Sequence, residues 1–202
     1  MVYGFVIHTV GAAPGEGPEL CRVLYYHWFG CGLLDEKLRM DEVALEKDRA
    51  RRMDQIAVVA RQSEAMCLLR RQASGRPASD FVMHPQEEPV FLHEDDVGIY
   101  GLGVGDPFPQ EVTVLWMGAF SLGFSLICDS LDNLTLAQST LRMLVKYLVD
   151  NLKLLTNSTN VILRADKILM SLDKFIPQGH LLFLNHQATQ VLEKELNNAM
   201  AL

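Results

Sequence analysis

Cysteine is sparse in this 202-residue chain: Cys21, Cys31, Cys67 and Cys128 stand far apart, and no Cys-x-x-Cys pair occurs. That excludes a disulfide scaffold. Glycine and proline number only 14 and 8 and are spread along the chain, which excludes fibrous and disordered classes. Basic residues are outnumbered, 18 Lys and Arg against 25 Asp and Glu, for a net charge of −7. With no global positive field, no nucleic-acid partner is expected, and any membrane association is indirect. No basic region precedes the apolar start Met1-Val2-Tyr3-Gly4-Phe5-Val6-Ile7-His8, and no small-residue cleavage site follows it, so a secretory signal is not expected. The thiols should therefore stay reduced, and the sequons at Asn133 and Asn157 should carry no sugar.

Long hydrophobic runs are equally scarce. The longest uncharged stretch, Val112 to Cys128, has 17 residues between Glu111 and Asp129, the lower limit for a membrane-spanning helix. Gly118 to Ser121 break it, β-branched and aromatic residues crowd both halves, and no basic residues flank it. A buried β-hairpin is the expectation.

What remains is ordinary globular composition, 49% apolar and 21% charged. A chain of this length buries roughly 70% of its unfolded surface as one domain, here spanning residues 1–202. Val2 to Val10 has strand character and runs into the turn cluster Gly11 to Pro18. The aromatic-rich run Leu20 to Phe29 completes an N-terminal hairpin. From Val43 to about Gln72 the period becomes helical, with Ile56, Val59, Ala60 and Met66 on one face. Asp41 and Glu42 at its start and Arg70 and Arg71 at its end suit the helix dipole.

Between Ala73 and Asp96 no period survives. Pro77, Pro85 and Pro89 mix with Glu87, Glu88, Glu94, Asp95 and Asp96, as in an exposed acidic loop insertion, 73–96. Val97 to Val104 suits a glycine-weakened strand, followed by the 112–128 hairpin. Asp132 or Asn133 then caps a long helix carrying Leu141, Leu144, Val145, Leu148, Leu152 and Leu155. A further helix over about 161–175 meets Pro177-Gln178-Gly179, and a last one, capped at Asn185, runs through Val191, Leu192 and Leu196. Strands grouped in hairpins demand an antiparallel sheet. The fold class is α+β, a five-stranded antiparallel sheet flanked by helices in the order β-β-α-β-β-β-α-α.

The residues offer little chemistry. The glycines at 98, 101, 103 and 105 match neither dinucleotide nor P-loop spacing, and Asp106-Pro107-Phe108-Pro109 cannot open a helix. A flexible edge strand is the expectation. His84 and His93 lie in the acidic loop, His180 and His186 are six apart, and none has metal-ligand spacing. No G-x-S-x-G elbow exists, and Cys128 beside Asp129 suits a buried thiol. Arg49, Arg51 and Arg52 alternate with Glu46, Asp48 and Asp54 as a solvated helix face. No catalytic residue, cofactor or metal is assigned.

Several segments carry a resemblance. Phe5-Val6-Ile7-His8-Thr9 with Leu20-Cys21-Arg22-Val23-Leu24-Tyr25 resembles the N-terminal hairpin of the small sigma subunits of clathrin-type adaptor complexes, the longin-like small adaptin family. Phe124-Ser125-Leu126-Ile127-Cys128-Asp129-Ser130-Leu131-Asp132-Asn133 resembles the family's strand-to-helix passage. Asp173-Lys174-Phe175-Ile176-Pro177-Gln178-Gly179-His180-Leu181 resembles the joint between its last helices. Arg61 to Cys67, Gln72 to Pro77 and His180 to Asn185 extend the likeness over nearly the full length.

The resemblance implies a longin-like fold and a non-catalytic subunit of a heterotetramer with zeta, beta and mu subunits. It implies endosomal sorting without clathrin, with spatacsin and spastizin as further partners, on the cytoplasmic face of late endosomes and lysosomes. A docking face of exposed apolar surface on the 132–155 helix and the 112–128 hairpin is expected, through Leu144, Val145, Leu148 and Trp116. Other sigma subunits bind acidic dileucine signals; alignment on Asp129 puts Val145 at one apolar pocket position and Leu154 where those sigmas carry Asn. No pocket residue is assigned. Two other classes stay open: a regulatory longin domain of a SNARE or tethering complex, and an enzyme using Cys128 and a histidine.

Overall fold

The computed structural model describes residues 1–11, 21–29, 42–75, 96–105, 107–156 and 158–200. Cys31, Asp41, most of the 11–18 turn cluster, His84, His93, Asp106, Asn157 and the interior of the acidic insertion lie outside them.

Five strands, β1 (Val2–Thr9), β2 (Val23–Trp28), β3 (Val97–Leu102), β4 (Val112–Ala119) and β5 (Leu122–Asp129), form one antiparallel sheet in the order β2-β1-β5-β4-β3. The two sequence-adjacent hairpins, β1–β2 and β4–β5, are joined by the β1–β5 pairing, in which Phe5 faces Leu126 and Ile7 faces Phe124. β1, β4 and β5 are buried almost without interruption. Strands covered on both faces need apolar residues at every position rather than every second one. That is why Val112 to Cys128 mimics a membrane span, and no described helix is long and apolar enough to cross a membrane.

Helix α1 (Glu42–Ala73) covers one face. Its inner side carries Ile56, Val59, Ala60, Ser63, Cys67 and Arg71, all buried. The helical reading of this stretch holds, but the inner line passes through Cys67 beside the partly buried Met66. Arg49, Arg51 and Arg52 are paired to Glu46 and Asp48 on the outer side, as the alternating charges suggested.

The opposite face is covered by α2 (Leu134–Leu152), the short α3 (Thr159–Leu163), α4 (Ala165–Phe175) and α5 (His186–Met200). Val2, Phe5, Ile7, Leu115, Met117, Phe124 and Leu126 of the sheet meet Leu141, Leu144, Val145, Leu148, Leu172 and Phe175 in the main core. Each such side chain contributes about 1.5–3 kcal/mol on burial. The Asn133 side chain accepts from Leu136 N at 3.0 Å and caps α2, and Asn185 caps α5 through Ala188 N at 2.8 Å.

Two helix boundaries differ from expectation. α2 stops at Leu152 because Lys153 turns left-handed (φ 46°), yet Leu154 and Leu155 stay buried in a 3-10 turn that preserves their apolar role. The expected 161–175 helix is split at Arg164 (φ −116°, ψ 25°), so three helices follow α2.

Candidate functional site

One polar cluster, His8, Ser125, Ser63 and Tyr100, lies under α1, where it crosses β1, β5 and β3. His8 is buried, and its Nδ1 lies 2.9 Å from the Thr9 carbonyl oxygen. A carbonyl only accepts, so Nδ1 carries the proton and Nε2 is bare. Burial pushes the His8 pKa down from 6.5 to about 4, against a small opposing contribution from the Thr9 bond. Nε2 is 3.5 Å from Ser125 Oγ, but Ser125 donates to Ser63 Oγ at 2.9 Å. Because Tyr100 OH donates to Val59 O at 3.1 Å, Ser63 must donate to Tyr100 at 3.0 Å. The chain Ser125 to Ser63 to Tyr100 to the α1 backbone runs in one direction and consumes every hydroxyl proton. It binds helix to sheet and leaves no hydroxyl poised as a nucleophile.

Backbone shape makes room for this cluster. A Cβ on Gly123 would lie 2.3 Å from His8 Cε1, and one on Gly98 would lie 2.5 Å from Trp116 Cζ2. Gly98 therefore has a packing role, letting the indole lie across β3. Of the glycine run it belongs to, positions 101, 103 and 105 face open space. β3 is an edge strand, as expected.

Asp96 is corrected. Expected in the exposed acidic loop, it is buried and accepts from Arg71 Nε at 3.1 Å, with both side chains at most 5% exposed. Gly118 N also donates to the Asp96 carbonyl at 2.7 Å. Arg71, assigned to the helix dipole, is instead half of a buried ion pair joining the end of α1 to the start of β3. Sequence spacing of 25 residues gives no cue to such a pair.

Cys21 and Cys128 are held as thiols by position. Cys128 is fully buried, and burial followed by the neighbouring Asp132 pushes its thiol up to about 12. Cys21 is raised to about 12 by burial and then by Glu64. The acidic turn after β5 is committed to local structure. Tyr3 OH donates to Asp129, Leu131 N donates to Asp129 Oδ1 at 3.0 Å, and the Met1 ammonium pairs with Asp132 at 2.5 Å. Among the described residues no group of three or more His, Cys, Asp or Glu could hold a metal ion.

The residues expected to dock a partner are inside. Leu144, Val145 and Leu148 are fully buried in the main core, and Trp116 packs with Val10 and Cys67 beneath α1. The expectation that they present exposed apolar surface is corrected: the heptad-like line that marks them is the line by which α2 covers its own sheet. Exposed apolar side chains gather elsewhere, at Ile162, Leu163, Leu169, Met170, Leu182 and Phe183.

Among the described residues the expected positions build neither a catalytic site nor a docking groove, and relatives decide the family. A family model described as AP-5 complex subunit sigma-1 matches residues 1–197. The Homo sapiens protein named AP-5 complex subunit sigma-1 is 47% identical over 199 residues, 98% of each chain. The chain belongs to the AP-5 sigma-1 family. The Mus musculus protein of that name is 46% identical over 156 residues, 77% of this chain and 91% of its own length. The family match spans both hairpins, α1, the 73–96 insertion and the C-terminal helices, so in this AP-5 sigma-1 family member the insertion lies within the matched length rather than outside it.

Proposed function

We propose that this chain is the small, non-catalytic sigma subunit of an AP-5-type heterotetrameric adaptor complex. It acts in vesicle-mediated endosomal protein transport, retrieving cargo from late endosomes toward the Golgi without clathrin. Its partners are the large zeta and beta subunits and the medium mu subunit, with spatacsin and spastizin bound to the assembly, which sits peripherally on late endosome and lysosome membranes. The observation that carries this reading is the 47% identity to a named sigma-1 subunit along 98% of both chains. Two features support a binding module over an enzyme: the His8–Ser125–Ser63–Tyr100 chain spends its donors on fold-internal acceptors, and Cys128 is buried and held as a thiol. The full-length match also favours a sigma subunit over a SNARE or tethering longin domain.

Affinity purification of the tagged chain from cells, with identification of bound chains, tests the assembly. Recovery of a zeta-type large subunit with beta and mu is expected, and a monomeric, unpartnered chain refutes the reading. Depleting the chain should redistribute a receptor that cycles between late endosomes and the Golgi, and its re-expression should restore the distribution; unaltered receptor traffic refutes the transport step.

A further inference from the structure

The two edges of the sheet are finished differently. β2 is interrupted by a bulge at Ile7/His8, and α3 packs beside it. β3 pairs with β4 from Val97 to Leu102 without a register shift, and its sequence Val97-Gly98-Ile99-Tyr100-Gly101-Leu102 contains no charge and no proline. Charged residues, proline and bulges are the devices that keep edge strands from pairing with other chains. β3 has none of them.

Which backbone groups β3 presents follows from one bond. Gly118 N donates to Asp96 O at 2.7 Å, in register with the pairing of Val97 and Met117, so Asp96 is a hydrogen-bonded position of the antiparallel ladder. Such positions alternate. Gly98, Tyr100 and Leu102 therefore spend their groups on β4 as well, and the N–H and C=O of Val97, Ile99 and Gly101 point away from it. Among the described residues no strand lies on that side. The Ile99 side chain is 42% exposed, and a Cβ on Gly101 would meet nothing within 4 Å.

The outward positions are symmetric about Ile99, and that symmetry selects the occupant. A second β3 turned antiparallel about this residue brings Ile99 opposite Ile99, Val97 opposite Gly101 and Gly98 opposite Tyr100. Every outward position then meets an outward position and exchanges two hydrogen bonds with it, and Val97 and Tyr100 each face a glycine. Turning about Tyr100 instead sets two Tyr100 rings, each held to its own α1 through Val59 O, in the closer non-hydrogen-bonded contact. That register also carries Val97 past the strand end at Leu102. Because the edge is uncharged, self-pairing sets no like charges opposite one another.

We infer that the β3 edge pairs with the β3 edge of a second copy of this chain, antiparallel and centred on Ile99, joining two five-stranded sheets into one. A contact confined to residues 97–101 is small beside a standard interface, so the dimer is reversible and concentration-dependent. Each copy carries a net charge of −7, so added salt screens their repulsion and tightens the pair. The inference is independent of the sigma-subunit reading.

The test is sedimentation equilibrium of the purified full chain from about 1 μM to about 1 mM. The mass should rise from 22.7 kDa toward twice that value, more steeply at higher salt. Amide exchange followed by NMR should slow at Ile99 and Gly101 as concentration rises, while Gly98 and Tyr100, bonded to β4, stay protected throughout. Ile99→Lys sets two like charges face to face and should weaken the dimer about tenfold or more. Ile162→Lys makes the same change at a 59% exposed site off the edge and should leave association unaltered. If Ile99→Lys loosens β3, Gly101→Pro decides, because it removes an outward N–H at an edge position that tolerates proline, and it should weaken the dimer likewise. A mass fixed at 22.7 kDa across the range, a dimer that both edge variants leave intact, or exchange at Ile99 and Gly101 that ignores concentration overturns the inference. Slowed exchange at these amides only in an assembly recovered from cells assigns the edge to another protein's strand and also overturns it.

Discussion

Lowering the pH from 7 to 4 charges a histidine that this fold holds neutral. His8 is 1% exposed and titrates at about 4 in the folded chain, against 6.5 when free. Between those values the unfolded chain binds the proton and the folded chain does not. Stability conferred by neutral His8 is therefore complete above pH 6.5 and is lost as pH falls toward 4. The interval of about 2.5 pH units corresponds to about 3 kcal/mol at 1.36 kcal/mol per unit, and to a drop in Tm of roughly 7–14 °C for a chain of this size. His8→Asn is the control: its amide can donate to Thr9 O as Nδ1–H does, and it does not titrate. Urea unfolding of both proteins at intervals from pH 7.5 to 3.5 isolates the contribution, because carboxylates elsewhere titrate equally in the two. The unfolding free energies should diverge by about 3 kcal/mol across the interval, the wild type falling faster. Parallel curves, or an NMR titration placing the His8 ring near 6.5, would refute the reasoning.

Asp96→Ala removes the carboxylate that pairs with Arg71 in the interior and should cost about 3–5 kcal/mol, read by urea unfolding; a loss below about 1 kcal/mol, the value of a surface pair, contradicts burial of the pair. Gly98→Ala places a methyl group against the Trp116 ring and should cost about 1–3 kcal/mol with a shift in indole fluorescence, whereas Gly101→Ala, facing open space, should leave both unchanged. Cys128 should resist a thiol reagent at pH 7 in the native protein and react on unfolding; rapid native labelling would contradict its burial and its raised pKa of about 12.

The hairpins, α1, the Asn133 and Asn185 caps and the antiparallel α+β class were all legible, because each rests on local periodicity or on a residue whose side chain satisfies its own backbone. Helix ends were less so. Leu155 continues the apolar line of α2, but nothing local announces that Lys153 turns left-handed, and buried Leu residues suit a 3-10 turn as well as a helix. The docking residues failed for a related reason. Leu144, Val145 and Leu148 mark an apolar face, and a sequence cannot say whether such a face meets its own sheet or another chain.

By itself the sequence determined the elements, their order and, through likeness along nearly the whole chain, the family, since these depend on near-neighbour spacing and on inherited identity. Only the tertiary structure decided which apolar faces are already spent. Pairing β1 with β5 brings together residues more than a hundred positions apart and joins the two hairpins into one sheet between α1 and the C-terminal helices, and packing of α1 on that sheet buries His8, Arg71 and Asp96. Ile162, Leu163, Leu169 and Met170 stay in solvent because the side of α3 and α4 that carries Val161, Ile168, Leu172 and Phe175 is the one spent on the core.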